Sequence, residues 1–470
     1  MDELFTSGVQ SRFRMPDQVG QAVPQDFSQT TTRAIDETDK SGPLTMTFST
    51  AKPAVRRLHP FVLGVGFLST YYVALLGPIL PAVAGPMGGD ALAIGLLFSS
   101  YSLAQFLTAP ILGALGDRYG RRIVLVCSFI GAITGFGVFT VGAATGAGLW
   151  MLFLGWIIVG ASDCWIATAY SYVADTTAPA VRTRYFAFLT AAIGSAFIIG
   201  PATSGLFSAT NPVTPLFVLL ALLSVALVWG CLSMPESLPR GRRTASLPLA
   251  QMNPLAQLRD ILGFPQLRLL LLSYLLFWPA VIALTANMPT LLTDLGGWNT
   301  GRIASVLMIY GVLVVTVQLI FIPLLVRRFH EIHLAMAGAA LSVVAFVLVA
   351  LFAEAGSASL IYLAVALFGV GQPLVQTSLT SAMSKSMDAH IQGRVQGAIA
   401  ATMAMAQVLG PLAVGWLYGA FAPAAPYWVV AFQMVVAVVL MMLAKARIPS
   451  LTQAATATAP LSTNHHERNS

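Results

Sequence analysis

Charge is what this 470-residue chain has least of: Asp, Glu, Lys and Arg make up 9% of it, against 57% hydrophobic residues. A soluble domain carries about 25% charged residues, so a water-soluble globule is excluded. Cysteine is nearly absent too. Cys127, Cys164 and Cys231 all fall inside apolar stretches, which leaves neither a disulfide framework nor a zinc cluster. The six histidines fall in loops, in a tail or at the edge of the first apolar run, so neither a metal site nor a cofactor is expected. There is no phosphate loop and no Ser-His-Asp arrangement. The chain therefore does not read as an enzyme, and ATP-driven transport has no support.

What is present is long apolar runs. They lie near 59–83, 92–113, 123–145, 149–173, 185–208, 213–233, 267–292, 301–326, 332–353, 358–381, 394–419 and 427–445. Each approaches or exceeds the roughly 20 residues that a spanning helix needs. A backbone in lipid must satisfy its own hydrogen bonds, and continuous apolarity of this kind reads as helix, not β-barrel. The expected fold is all-α and polytopic, with twelve transmembrane helices in two six-helix bundles. The net charge of +7 raises the question of nucleic acid, but its placement answers it. With both ends inside, Arg302 alone of the 25 Lys and Arg falls outside. That is the positive-inside pattern. Arg56, Arg57, Arg240 to Arg243, Arg327 and Arg328 then anchor topology near anionic headgroups. The expected partner is the lipid bilayer of the cell membrane, with both termini cytoplasmic.

Residues 1–57 are polar and without helical period, as in a disordered tail. No apolar run precedes the first span, so no cleavable signal peptide is expected. The organisation expected is a tail (1–57), an N-terminal bundle (58–233), a cytoplasmic linker (234–266), a C-terminal bundle (267–446) and a second tail (447–470). The linker carries an amphipathic piece around Leu255–Leu262, expected at the membrane surface. The halves also repeat. Arg184, Gly200, Pro201 and Gly205 recur 210 residues on as Arg394, Gly410, Pro411 and Gly415, and Arg118 and Tyr119 as Arg328 and Phe329. In this worn second copy Arg327 stands where Asp117 would project.

Gly113–Arg122 reads G-A-L-G-D-R-Y-G-R-R, a charged turn between two spans. Gly113 and Gly120 permit a tight turn and close helix contact. Asp117, Arg118, Arg121 and Arg122 supply a switchable charge network, with Asp117 expected near the start of the third helix, where the helix dipole favours it. The decapeptide resembles the loop 2–3 signature of the major facilitator superfamily of solute transporters, whose fold is a parallel repeat of six-helix halves. The resemblance covers roughly residues 58–446. It is closest to the twelve-helix drug:proton antiporters of the tetracycline-exporter kind, helped by Gln392-Gly393-Arg394-Val395-Gln396-Gly397 leading into Gly410-Pro411. It implies that Asp117 and its neighbouring arginines latch the two halves on the cytoplasmic side, with the start of helix eleven (Gln392, Gly393, Arg394) receiving. A purely topogenic loop is the alternative. In helix five Gly194, Gly200, Pro201 and Gly205 are similar to the antiporter motif of such exporters, with Ala196 and Ser204 where glycine is usual; plain helix packing competes with that reading.

Asp163 is the single charged side chain expected well inside the hydrocarbon. A charge there costs about 2.5–3.5 kcal/mol on insertion scales, so it reads as a binder of a proton, an ion or a cationic group, or else as a protonated structural Asp. At helical spacing it shares a face with Trp156, Gly160, Ala167 and Tyr170. Two departures from the exporter pattern stand out. Trp156 occupies a place where an Arg is usual in helix four, and Ser69 one where an Asp is usual in helix one. Other polar residues expected to line the pathway are Tyr71 and Tyr72 on helix one, Tyr101 and Gln105 on helix two, and Trp278 and Asn287 on helix seven. Gln318, Gln372, Gln376 and Gln407 complete the set; Gln372 and Gln376 are one turn apart.

The leading expectation is a monomeric secondary transporter exporting a small amphipathic compound against protons by alternating access. Uptake of a nutrient or organic acid by symport or facilitation is the alternative, followed by a non-transporting sensor or assembly partner.

Overall fold

A computed structural model of the chain describes residues 59–239, 241, 243, 244, 267–387 and 392–447, with positions 179, 180, 183, 392, 393 and 447 described as backbone alone. The N-terminal tail, most of the linker with its Leu255–Leu262 piece, and the chain beyond 447 lie outside the described residues. Twelve of the described helices are long and apolar enough to cross a membrane. The N-terminal six are α1 (Pro60–Met87), α2 (Ala91–Tyr119), α3 (Arg121–Thr145), α4 (Leu149–Thr176), α5 (Pro179–Phe207) and α6 (Thr214–Ser233). The C-terminal six are α7 (Arg268–Asp294), α8 (Thr300–Leu325), α9 (Glu331–Ala355), α10 (Ala358–Lys385), α11 (Gln392–Ala420) and α12 (Ala425–Arg447). No strand occurs among the described residues.

The helices start and stop for local reasons. Asp90 caps α2 by accepting from the Ala93 N–H at 2.7 Å, and Asn299 caps α8 by accepting from the Arg302 N–H at 2.9 Å. Gly146 and Gly356, 210 residues apart, end α3 and α9 in the left-handed region at φ 63° and 68°. Buried apolar residues gather into two large clusters. One is built from α1–α6 around Tyr72, Phe136 and Trp156; the other is built almost wholly from α7–α12 around Phe277, Phe346 and Phe368.

The bundles meet through small residues at the end of the molecule opposite Gly113–Arg122. A Cβ on Gly415 in α11 would strike the backbone of Ala91 in α2. A Cβ on Gly205 in α5 would sit 2.9 Å from the Ala304 Cβ and 3.7 Å from Gly301 in α8. These two crossings are one contact repeated: Ala91 and Gly205 each lie 210 residues before Gly301 and Gly415. At the other end, Gly113 in α2 and Gly397 in α11 have no neighbour within 4 Å of an added Cβ among the described residues.

Two local expectations change. The Gly113–Arg122 segment is not a ten-residue turn, because α2 continues through Tyr119 and the chain breaks at Gly120 alone, at φ 112°. Asp117 therefore sits in the last turn of α2 instead of at the start of α3, where the dipole disfavours a carboxylate. The fourth span is also not one helix. It runs from Leu149 to Ser162, breaks at Asp163 and Cys164 (φ −85°, ψ 103° and φ −129°, ψ 17°), and resumes from Trp165 to Thr176.

Candidate transport site

The break in α4 puts Asp163 at the centre of the N-terminal bundle. Its Oδ1 accepts from the backbone N–H of Trp165 at 3.2 Å, so the side chain caps the second half of the helix that its own backbone interrupts. Its Oδ2 accepts from the Tyr72 hydroxyl at 2.5 Å, from the Tyr101 hydroxyl, and from Gln105 Nε2 at 2.8 Å. The two tyrosine hydroxyls are 2.7 Å from each other. One carboxylate thus ties α1, α2 and both halves of α4. Gly160 makes this possible, since a Cβ there would strike the Tyr101 backbone and push α2 away. Asp163 is 8% exposed and Tyr72 1%, whereas Gln105 is partly exposed.

Four of the residues expected to line the pathway, Tyr72, Tyr101, Gln105 and Asp163, come together here. Trp156 packs behind them. It is fully buried, with its ring 4.9 Å from that of Tyr101 and edge-on to Tyr72, Phe98 and Phe136. The expected stripe of Trp156, Gly160, Asp163, Ala167 and Tyr170 is not one face, because the break turns the second half of α4. Tyr170 instead meets Thr190 of α5 at 3.1 Å and packs on Phe186. Tyr71 is buried and stacked on Phe67.

In the other bundle Asn287 accepts from the Tyr427 hydroxyl at 2.8 Å, and Gln372 donates to Gln376 Oε1 at 2.5 Å. Trp278 packs edge-on to Tyr274. Asn287 and Gln318 each lie in a π-helical stretch, Ala283–Asn287 in α7 and Val317–Phe321 in α8. Such stretches recur at functional sites. Gln318, Gln376 and Gln407 are partly exposed.

The Gly113–Arg122 segment is held by its own bundle and by the linker that follows it. Arg121 pairs with Asp117 at 2.6 Å and with Asp175 at 3.5 Å. Arg122 donates to the Cys231 carbonyl at 2.5 Å, and Arg118 lies over the Tyr119 ring. The sequence reading missed Asp175 and Glu236. Glu236 accepts from the backbone N–H groups of Arg121 (2.9 Å) and Arg122 (3.3 Å), satisfying the open start of α3, and lies 3.8 Å from Arg243. Gly120 is required here, because a Cβ would strike the Glu236 carboxylate. The available signals were an acid at the end of the fourth span and another just after the sixth. Of the expected receiving end on α11, Arg394 is exposed, while the side chains of positions 392 and 393 lie outside the described residues.

In α5, Gly200 and Ser204 face α1. A Cβ on Gly200 would sit 2.8 Å from that of Ala74, and the Ser204 hydroxyl donates to the Leu75 carbonyl at 2.5 Å. Gly205, past Pro201, turns to α8. The motif therefore packs α5 against both bundles at once.

The sequence matches the model of the Major Facilitator Superfamily over residues 62–407. The chain belongs to this superfamily. It is a transporter, not an enzyme. It is 31% identical over 369 residues to the tetracycline resistance protein, class C, of Escherichia coli, covering 77% of this chain and 89% of that one. It is 25% identical over 365 residues to multidrug resistance protein 1 of Bacillus subtilis (strain 168), covering 75% and 88%. The crystal structure of the human organic anion transporter MFSD10 (TETRAN) superposes with a TM-score of 0.62 at 22% identity, over 83% of this chain and all of that one, a likeness of fold.

Proposed function

We propose that this major facilitator transporter exports small amphipathic compounds in exchange for protons, with Asp163 as the proton carrier. The observation that carries the reading is a buried carboxylate, on a broken transmembrane helix, with hydroxyl and amide partners and no cation beside it among the described residues. Broken helices at mid-membrane are where transporters of several folds place their ion sites. An arginine at the position of Trp156 would hold the acid ionised; a tryptophan leaves it free to take up and give back a proton. The tetracycline and multidrug resistance relatives support export of a drug-like compound.

The proposed cycle runs between two ends. The far-end crossings, Ala91 with Gly415 and Gly205 with Gly301, are closed here, whereas at the Gly113–Arg122 end Gly113 and Gly397 meet no neighbour among the described residues. With positive charge kept inside, that end is cytoplasmic, both termini are cytoplasmic, and this is the inward-facing state of a monomer in the cell membrane. Residues 58–233 and 267–446 are the two rocking halves, joined through 234–266. Substrate enters from the cytoplasmic side among Gln105, Tyr170, Gln318, Gln376 and Gln407. Rocking then opens the far end, where a proton loads Asp163 as the substrate leaves. Asp117 with Arg118, Arg121 and Arg122 latches the cytoplasmic side against the start of α11 at Arg394 in that outward-facing state.

Inverted membrane vesicles test the reading, with tetracycline as the probe. An acid interior should drive tetracycline into vesicles carrying the parent chain and not into those carrying Asp163→Asn at equal abundance. Equal uptake by both would remove Asp163 from the coupling. Cells that accumulate tetracycline instead of excluding it would reverse the direction.

A further inference from the structure

The three groups on Asp163 Oδ2 share a property that bare proximity does not require: each is able both to donate and to accept a hydrogen bond. The Tyr72 and Tyr101 hydroxyls do so by rotation, and the Gln105 side chain by turning its amide end for end. An ionised carboxylate oxygen takes three donors. Once that oxygen carries a proton, at least one of the three must reverse, since the new O–H needs an acceptor and a buried donor left unpaired is costly. Lysine or arginine in any of these places would be unable to reverse. The titratable groups facing Asp163 among the described residues are Tyr72 from α1, Tyr101 from α2 and its own neighbour Cys164. The Cys164 thiol is occupied by Ser128 of α3 at 3.1 Å.

The three partners also differ in access. Tyr72 is sealed, Tyr101 is 8% exposed, and Gln105 is the one that reaches partly exposed space. Gln105 lies one helical turn from Tyr101 toward the Gly113–Arg122 end, and its Nε2 is 3.4 Å from the Tyr101 hydroxyl.

Building on the proposed role of Asp163, we infer that Tyr72, Tyr101 and Gln105 form a reversible hydrogen-bond relay, with Gln105 as its outlet toward the Gly113–Arg122 end. When Asp163 Oδ2 takes a proton, its new O–H donates to one relay member, which turns from donor to acceptor. When the proton leaves past Gln105, the member turns back. No proton is created or lost in the rearrangement, and neither state leaves the carboxyl group unpaired.

The test uses the full chain in proteoliposomes, with tetracycline as the probe and two readouts, counterflow without a pH gradient and accumulation driven by one. Gln105→Leu and Tyr101→Phe should slow gradient-driven accumulation by about 100-fold, the scale on which a positioned proton-transfer group acts, and slow it far more than they slow counterflow. Gln105→His, which still donates and accepts, should restore driven accumulation, whereas Gln105→Lys, a fixed donor, should not. Parent-like driven accumulation in Gln105→Leu and Tyr101→Phe would overturn the relay. If Gln105→Leu also loses counterflow, the His and Lys variants decide: equal driven accumulation in those two overturns it as well. Loss in Asp163→Asn with no loss in the relay variants refutes the relay alone, and retention in Asp163→Asn refutes the carrier on which it rests.

Discussion

Glu331 pairs with Lys385 at the two positions that lie 210 residues beyond Arg121 and Asp175, so the repeat carries an ion pair of exchanged sign at the same place in each bundle. The helix-start member is the more buried in both, at 13% for Arg121 and 12% for Glu331. Helix polarity explains the cost of one arrangement and the ease of the other. A glutamate at the start of α9 sits where the dipole favours negative charge, while an arginine at the start of α3 sits against it. The N-terminal bundle answers with Asp117 and Asp175 on the Arg121 side chain, and the linker with Glu236 on its backbone. The second copy of the motif is therefore not merely worn. Its Arg121–Asp175 pair returns as Glu331–Lys385 with the signs exchanged, while Arg328 keeps the sign of Arg118.

Charge reversal should separate the two ends. Glu331→Lys leaves two cations facing each other, and adding Lys385→Glu should restore thermal stability in detergent to that of the parent. The half-exposed pair is worth only about 0.2–1 kcal/mol, so Glu331→Gln should change stability little. Arg121→Gln removes the partner of two acids at once and should slow transport more than Glu331→Gln does. Comparable transport rates in the two neutral variants would contradict the argument.

Glu236 acts as an N-cap supplied from the linker. Glu236→Ala should cost about 0.5–2 kcal/mol, the range for losing a helix cap, read as a lower unfolding temperature in detergent. Glu236→Asp should recover little of it, because the shorter side chain draws back from the Arg121 and Arg122 N–H groups.

The small-residue crossings make a prediction about access. Gly415→Leu and Gly205→Leu should each hold the far end apart. A cysteine at Ile94, now 2% exposed beside a narrow gap lined by Gly95, Asn287 and Pro411, should then label faster with an impermeant maleimide added from that side. A background lacking the exposed Cys127 and Cys231 keeps the readout clean. Unchanged labelling would mean that these contacts do not form the closure.

The spans were legible because twenty apolar residues in lipid have few other options; α3, read as 123–145, is Arg121–Thr145. The internal repeat was equally open to reading, since Gly200-Pro201 and Gly410-Pro411 share one offset. The break in α4 was not. Neither Pro nor Gly marks it, and Pro373, the position paired with Asp163 by the repeat, lies inside an unbroken α10. What breaks α4 is a side chain capping its own helix, held by tyrosines from α1 and α2 that are 91 and 62 residues away in sequence. Glu236 was hidden for a similar reason. Its partners on α3 are backbone N–H groups over a hundred residues earlier, and composition carries no record of them. Trp156 read as a pathway residue because regular helical spacing puts it on the face of Asp163, yet its ring is fully buried and fills the core beside Tyr101.

Asp163 is the proposed group that takes protons up and gives them back. The most direct test of that role is the proton count itself: purified parent and Asp163→Asn in unbuffered detergent solution, with tetracycline added and the pH change read by an indicator dye. The parent should release protons on binding, and Asp163→Asn should bind without releasing any. Equal release from the two proteins would contradict that role.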